Sequence, residues 1–116
     1  MRSLKITLIL FSILMICIIF NIIYINRCAD ILTEKADAVL RGEQARELRD
    51  FWESNKEYIG ISISEAQLDS ISRLIITVEY DQLHGSRQEL KKDVALLTDA
   101  IGGIRRYEKL SIQNIF

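Results

Sequence analysis

Hydrophobic side chains run almost without interruption from Ile6 to Ile25, and beyond that they recur only at every third or fourth position. The first stretch holds twenty residues with no formal charge, no Gly and no Pro, bracketed by Arg2 and Lys5 before it and Arg27 after it. A helix of that length is about 30 Å long, the thickness of a bilayer's hydrocarbon core. The pattern therefore predicts a transmembrane helix over residues 6–25. Thr7 and Ser12 can bond back to the carbonyl one turn earlier, and Asn21 lies within about one and a half turns of the far interface.

The rest of the chain reads as amphipathic helix. Leu68, Ile71, Ile75 and Val78 step by three and four, and Leu90, Val94, Leu97, Ile101 and Ile104 make a longer stripe of the same kind. Residues 43–59 offer Leu48, Phe51 or Trp52, and Tyr58 or Ile59 to one face. Gly42, Gly60 and Gly85 fall where the pattern breaks, dividing the tail into helical pieces over 28–40, 43–59, 64–83 and 86–110. Ser62 with Glu65, and Ser86 with Glu89, have capping-box spacing. Gly85 is the expected left-handed cap, and the alternation Ile59-Gly60-Ile61-Ser62-Ile63 reads as an extended connector. The stripes span fewer heptads than a coiled coil wants, so packing within the chain is expected. Leu40-Arg41-Gly42 leads to Glu47-Leu48-Arg49 as Leu83-His84-Gly85 leads to Glu89-Leu90-Lys91, a weak repeat of helix–Gly–helix units.

Composition narrows the class. Residues 26–116 carry all sixteen acidic groups but thirteen of the fifteen Lys and Arg, a net charge of −3 with the signs interspersed. No basic stripe is present, so nucleic acid is not an expected partner. The pairs Arg46–Asp50, Arg49–Glu53 and Asp69–Arg73 have i,i+4 spacing and suit solvated faces. Absence of Pro and abundance of Leu, Ile, Ala, Glu, Arg and Lys favour helix, and about ninety residues suffice for one modest core. The expected architecture is all-α: a basic N-terminus over 1–5, the transmembrane helix over 6–25, and an antiparallel bundle of three to four helices over 26–116.

A cleaved signal peptide is the rival for the first segment. The apolar run is longer than a usual h-region, and no small-x-small site follows it closely, so an uncleaved anchor is expected. Acylation at Cys28 fails because Asn26 and Arg27 are too bulky for processing. Long translocated tails largely ignore charge, so the short basic end is expected in the cytoplasm and the tail outside a cell membrane. In that setting Cys28 could bridge two copies, although a partly buried free thiol is the preferred reading. Cys17 reads as a small apolar residue.

Trp52 and Lys56, the segment Leu68-Asp69-Ser70-Ile71 with Leu74, and the ending Glu108-Lys109-Leu110-Ser111 with Asn114-Ile115-Phe116 add a resemblance. The chain resembles a family of short bacterial proteins with one N-terminal membrane span and a helical tail, a domain of unknown function. Ser64-Glu65 stands where that family would carry an Asp-His pair, so a role resting on that His does not transfer. The resemblance implies membrane location and a helical fold, and no chemistry.

Candidate chemistry is sparse. His84 is the only histidine, and Asp81 one turn earlier gives a two-ligand spacing without the further inward carboxylates that a metal-binding bundle needs. A helix-terminal role beside Gly85 suits His84 better. No Gly-x-Ser-x-Gly elbow and no phosphate-cradling Gly loop occurs. If the first two pieces leave the bilayer and return, Tyr58 and Ile61 come back to it, and the last two pieces bring Ile112, Ile115 and Phe116 back as well. Trp52 joins these as a candidate membrane or partner contact, with core filling its preferred alternative. The expected function is a non-enzymatic, membrane-anchored interaction or scaffold module. It would bind itself or another membrane protein, with no cofactor and no small-molecule substrate. An accessory subunit of a polytopic channel or transporter is the second reading, and a small tethered enzyme or metal protein the third.

Overall fold

The computed structural model describes the backbone of residues 1–115 and the side chains of residues 1–104. Four helices make up the described chain, α1 (Arg2–Leu40), α2 (Ala45–Ile59), α3 (Glu65–His84) and α4 (Arg87–Ile115), and no strand occurs among the described residues. The all-α expectation holds. The expected break between a membrane helix and a first bundle helix does not. Apolar residues 6–25 and the amphipathic 28–40 form one unbroken helix of 39 residues, since no Gly or Pro interrupts the junction at Asn26-Arg27.

Burial divides α1 in two. No side chain from Arg2 to Phe20 is buried, and all but Met15 and Ile18 are exposed. From Ile25 onward Ile25, Cys28, Ala29, Leu32, Ala36 and Val39 turn inward, the three-and-four spacing of a core-facing stripe. The far half of α1 is thus a wall of the bundle. Its exposed half is long and apolar enough to cross a bilayer.

The tail folds as an up-down-up-down square. Each helix packs on its neighbours in the cycle α1–α2–α3–α4–α1, so α1 and α3 stand on one diagonal. The core is the inner stripe of all four: Leu32 and Val39 of α1, Leu48 and Trp52 of α2, Ile71, Ile75 and Val78 of α3, and Val94, Leu97, Ile101 and Ile104 of α4. The whole is rod-shaped, 67 × 23 × 21 Å.

Turn chemistry differs from expectation at three places. Gly42, not Gly85, takes the left-handed conformation, at φ 103°. Gly85 is extended (φ −92°, ψ 177°) and is small for another reason: a Cβ there would lie 2.9 Å from the Asp81 Cα. The capping box of α3 is Ser64 with Gln67, not Ser62 with Glu65. Ser64 Oγ accepts from the Gln67 amide, and the Gln67 carboxamide oxygen accepts from the Ser64 amide. At α4 the Glu89 amide donates to Ser86 Oγ over 3.2 Å. Residues 60–63 form a tight turn rather than an extended connector, with Ile61 and Ser62 amides bonded three residues back to Tyr58 and Ile59.

Candidate functional site: the end of the bundle beside the apolar half of α1

The α2–α3 turn meets α1 where the exposed half of α1 begins. Asn21 Nδ2 donates to Ser62 Oγ at 2.5 Å, and the Tyr24 hydroxyl donates to Asn55 Oδ1 at 2.6 Å. Asn21 is the one strongly polar residue in the apolar run, and these bonds show its use: it docks the turn. The bundle therefore begins at residue 21. Of residues 21–25, counted with the membrane helix on hydropathy, all but the exposed Ile23 are partly or wholly buried against the tail. Arg2 to Phe20, nineteen residues or about 28 Å, stay outside the bundle, a length comparable to a bilayer core.

Around this docking point the turn is apolar outside. Ile61 is 81% exposed and Tyr58 is also exposed, while Ile59 and Ile63 on either side are buried in the core. Tyr24 and Tyr58 lie at one level, at the inner end of the apolar helix. Tyrosines with a wet hydroxyl and an apolar ring favour that level of a bilayer. Tyr58 and Ile61 thus lie together on the exposed side of the turn, beside the apolar half of α1.

Trp52 is not part of this surface. Its side chain is 1% exposed, and its indole Nε1 donates to Ser72 Oγ at 2.8 Å across the α2–α3 interface. The membrane or partner role for Trp52 is corrected to core filling. Sequence could not choose between Phe51 and Trp52 as the inward residue because both suit the helical spacing. Phe51 is half-buried, with Lys35 Nζ 5.9 Å from its ring centroid. Cys28 is buried as well, and burial pushes its thiol above the ordinary range. An intermolecular disulfide there is corrected, because α1 would have to leave the core to expose the sulfur.

Helix α4 continues to Ile115, eleven residues past buried Ile104, or about 16 Å. Gly103 lines a groove with Ala66 and Gln67 at the start of α3, so α4 carries on beyond the level where α3 begins. The side chains of Ile112 and Ile115, and all of Phe116, lie outside the described residues.

The opposite end holds polar bonds that spacing rules do not reveal. Gln82 Oε1 accepts from the Ala45 amide at 2.7 Å, and its Nε2 donates to the Glu43 carbonyl at 2.6 Å. A residue of α3 thereby caps α2, whose own N-cap residue, Gln44, makes no side-chain cap. Arg87 Nη2 likewise donates to the Leu40 carbonyl at the end of α1. Of the expected surface pairs, Arg46–Asp50 is present at 3.9 Å, whereas Arg49 reaches Glu79 of α3 at 2.6 Å and Glu53 pairs with Lys56.

Asp81 is the charged residue of the core, 6% exposed, with Oδ2 lacking a partner. A hydrogen bond with Asp93 of α4, burial, and the negative charges of Asp93 and Glu89 push its carboxyl up to about 6. His84 points elsewhere, its ring 5.2 Å from that of Tyr80. The Asp81–His84 spacing therefore does not converge on a ligand site, and no group of three His, Cys, Asp or Glu that could hold a metal occurs among the described residues. Comparison of the chain with protein-family models, with curated proteins and with solved structures finds no match.

Proposed function

We propose that the protein is a non-catalytic, single-pass interaction module that holds a helical bundle upright and close against a membrane. The observation carrying this reading is the continuity of α1. One helix is bare and apolar over its first half and buried in the bundle core over its second, with no linker between. A flexible tether lets a domain wander, whereas an unbroken helix fixes its height and tilt. The exposed Tyr58 and Ile61 at the docked turn suit contact with the interface.

In this reading the basic N-terminus faces the cytoplasm and the bundle stands outside the cell membrane, displaying α-helical faces to neighbours in that membrane. Its interaction partners are proteins anchored there. The test is photocrosslinking of the full chain in native membranes, from positions on exposed bundle faces. Adducts with membrane proteins, this chain included, are expected, and recovery of one polytopic protein throughout would favour the accessory-subunit reading. A chain that sediments with membranes yet crosslinks only to lipid from every face would refute the interaction role. Accessibility of residue 61 to an impermeant thiol reagent, after Ile61→Cys, tests the orientation in whole cells.

A further inference from the structure

We propose that the last turns of α4 enter the lipid beside α1, as a second membrane-inserted segment that reaches into one leaflet. This rests on the membrane-anchored reading above and adds a second lipid contact to it. A return of α4 to the surface alone would leave the bare half of α1 untouched, and the burial along α1 argues against that.

Met15 and Ile18 are half-buried within that bare half, whereas Leu14, Ile16, Ile19 and Phe20 beside them are 50–67% exposed. With half-buried Ile22 and buried Ile25 they step by three, four and three. They therefore continue the core-facing stripe of α1 toward its N-terminus, past the point where the bundle begins. The α2–α3 turn meets α1 at Asn21, about 9 Å short of Met15. Helix α4 is the element that goes further.

The register of α4 against α1 places its end at that stripe. The two helices are antiparallel neighbours, and Asp37 and Leu40 share a groove with Lys91, Val94 and Ala95. From that level each residue onward in α4 answers one residue back in α1. Ile104 then stands about level with Cys28, and the eleven residues after it run down to about the level of Cys17.

Charge changes at the same level. Arg105, Arg106, Glu108 and Lys109 are the last charged residues of the sequence, and their positions fall beside the turns of α1 that hold Arg27 and Tyr24. From Leu110 onward there is no charge, and this stretch starts about where Asn21 marks the edge of the bare half. Basic residues followed by an uncharged segment are the order expected of a helix that passes headgroups into acyl chains. Ser111, Gln113 and Asn114 would be costly at the centre of a bilayer. From Leu110 to Ile115, however, the helix is about 9 Å long, within the roughly 15 Å of one leaflet. The consequence is rotational. A single helix in lipid is free to spin about its axis, whereas α1 and α4 entering side by side fix which face of the bundle leans on the surface.

The test places single fluorophores on the full chain in lipid vesicles, with Cys17→Ser and Cys28→Ala as background. Ile112→Cys reports on the end of α4, Ile13→Cys is the lipid reference and Leu83→Cys the aqueous one. Lipids with a quencher on the acyl chain should quench position 112 at least several-fold more than position 83, and aqueous iodide should reach 83 but not 112. A label at Ile18→Cys should be quenched by the same lipids less than one at Ile19→Cys. Adding Ile112→Glu with Ile115→Glu should erase that difference while helicity by circular dichroism is unchanged. Iodide quenching at 112 as strong as at 83, or shielding of 112 from both quenchers, would overturn the inserted end. With position 13 still quenched by lipid, the anchored interaction module would stand. Release of the unmodified chain from vesicles would overturn both.

Discussion

At the residue scale the least expected feature is a carboxyl inside the bundle. Asp81 faces Asp93 across α3 and α4, with Glu89 one turn before Asp93 on α4, and its carboxyl is raised to about 6. The folded chain then holds a proton at Asp81 more tightly than the unfolded one, so this group's contribution to stability is greatest below the ordinary Asp range. It falls as pH rises from about 4 through 6 and is level above that. Replacing Asp81 by Asn keeps a hydrogen-bonding group against Asp93 without the charge. In detergent-solubilised full chain, Asp81→Asn should raise the melting temperature at pH 7.5 and leave it nearly unchanged at pH 4. Equal shifts at both pH values would contradict a shared proton. Trp52 shows the complementary case of a polar atom that is satisfied. Trp52→Phe loses the Ser72 bond and should cost about 1 kcal/mol, whereas Trp52→Ala should cost about 3–5 kcal/mol through the cavity it leaves. Denaturant melts of the two variants separate these contributions, and similar losses would mean that the bond, not the ring, matters.

At the element scale the helices owe their ends to one another. Gln82 of α3 caps α2, and Arg87 of α4 covers the Leu40 carbonyl at the end of α1. Gln82→Ala should therefore destabilise by about 1 kcal/mol, although the residue sits on a different helix from the amide it serves. A surface Gln→Ala change with no such bond, tested by the same melt, should move stability less than half as much. These long-range caps explain which parts of the fold could be read from the chain. The helix type, the breaks near Gly42, Gly60 and Gly85, and the inward faces of α3 and α4 follow from local spacing, and they were legible. The Ser64–Gln67 box was missed because Ser62 with Glu65 has the same spacing, and the difference is made by Ser62 accepting from Asn21, forty-one residues away. The fusion of the membrane helix with the first bundle helix was missed for a related reason. Hydropathy reports residues 21–25 as apolar and cannot tell lipid from a protein core. Of the candidate contacts, the exposure of Tyr58 and Ile61 at the α2–α3 turn was legible, whereas the placement of Trp52 and Phe51 needed the packed structure. A single Ala inserted after Asn26 tests the fusion. It should turn the bundle by about 100° against Asn21 and Tyr24 and lower the melting temperature. An insertion near residue 10, in the bare half, should leave it unchanged.

At the scale of the whole molecule the design is a rod with two environments. In the proposed arrangement its first half offers lipid an apolar surface, uncharged from Ile6 to Phe20, about 22 Å long. Its second half forms one corner of a square bundle whose apolar turn returns to the same level. In the proposed seating, height above the membrane follows position along the chain, with Ile13 within the lipid, Ile61 at its edge and Leu83 well above it. Three single-cysteine variants of the full chain, Ile13→Cys, Ile61→Cys and Leu83→Cys, made without Cys17 and Cys28, can carry a fluorophore into vesicles. Lipids bearing a quencher at the acyl-chain centre or near the headgroup then read out depth. Position 13 should be quenched most by the deep quencher, position 61 by the shallow one, and position 83 by neither. Quenching at 61 as weak as at 83, or access of aqueous iodide to 13, would show that the rod does not stand in the bilayer with its bundle seated on the surface.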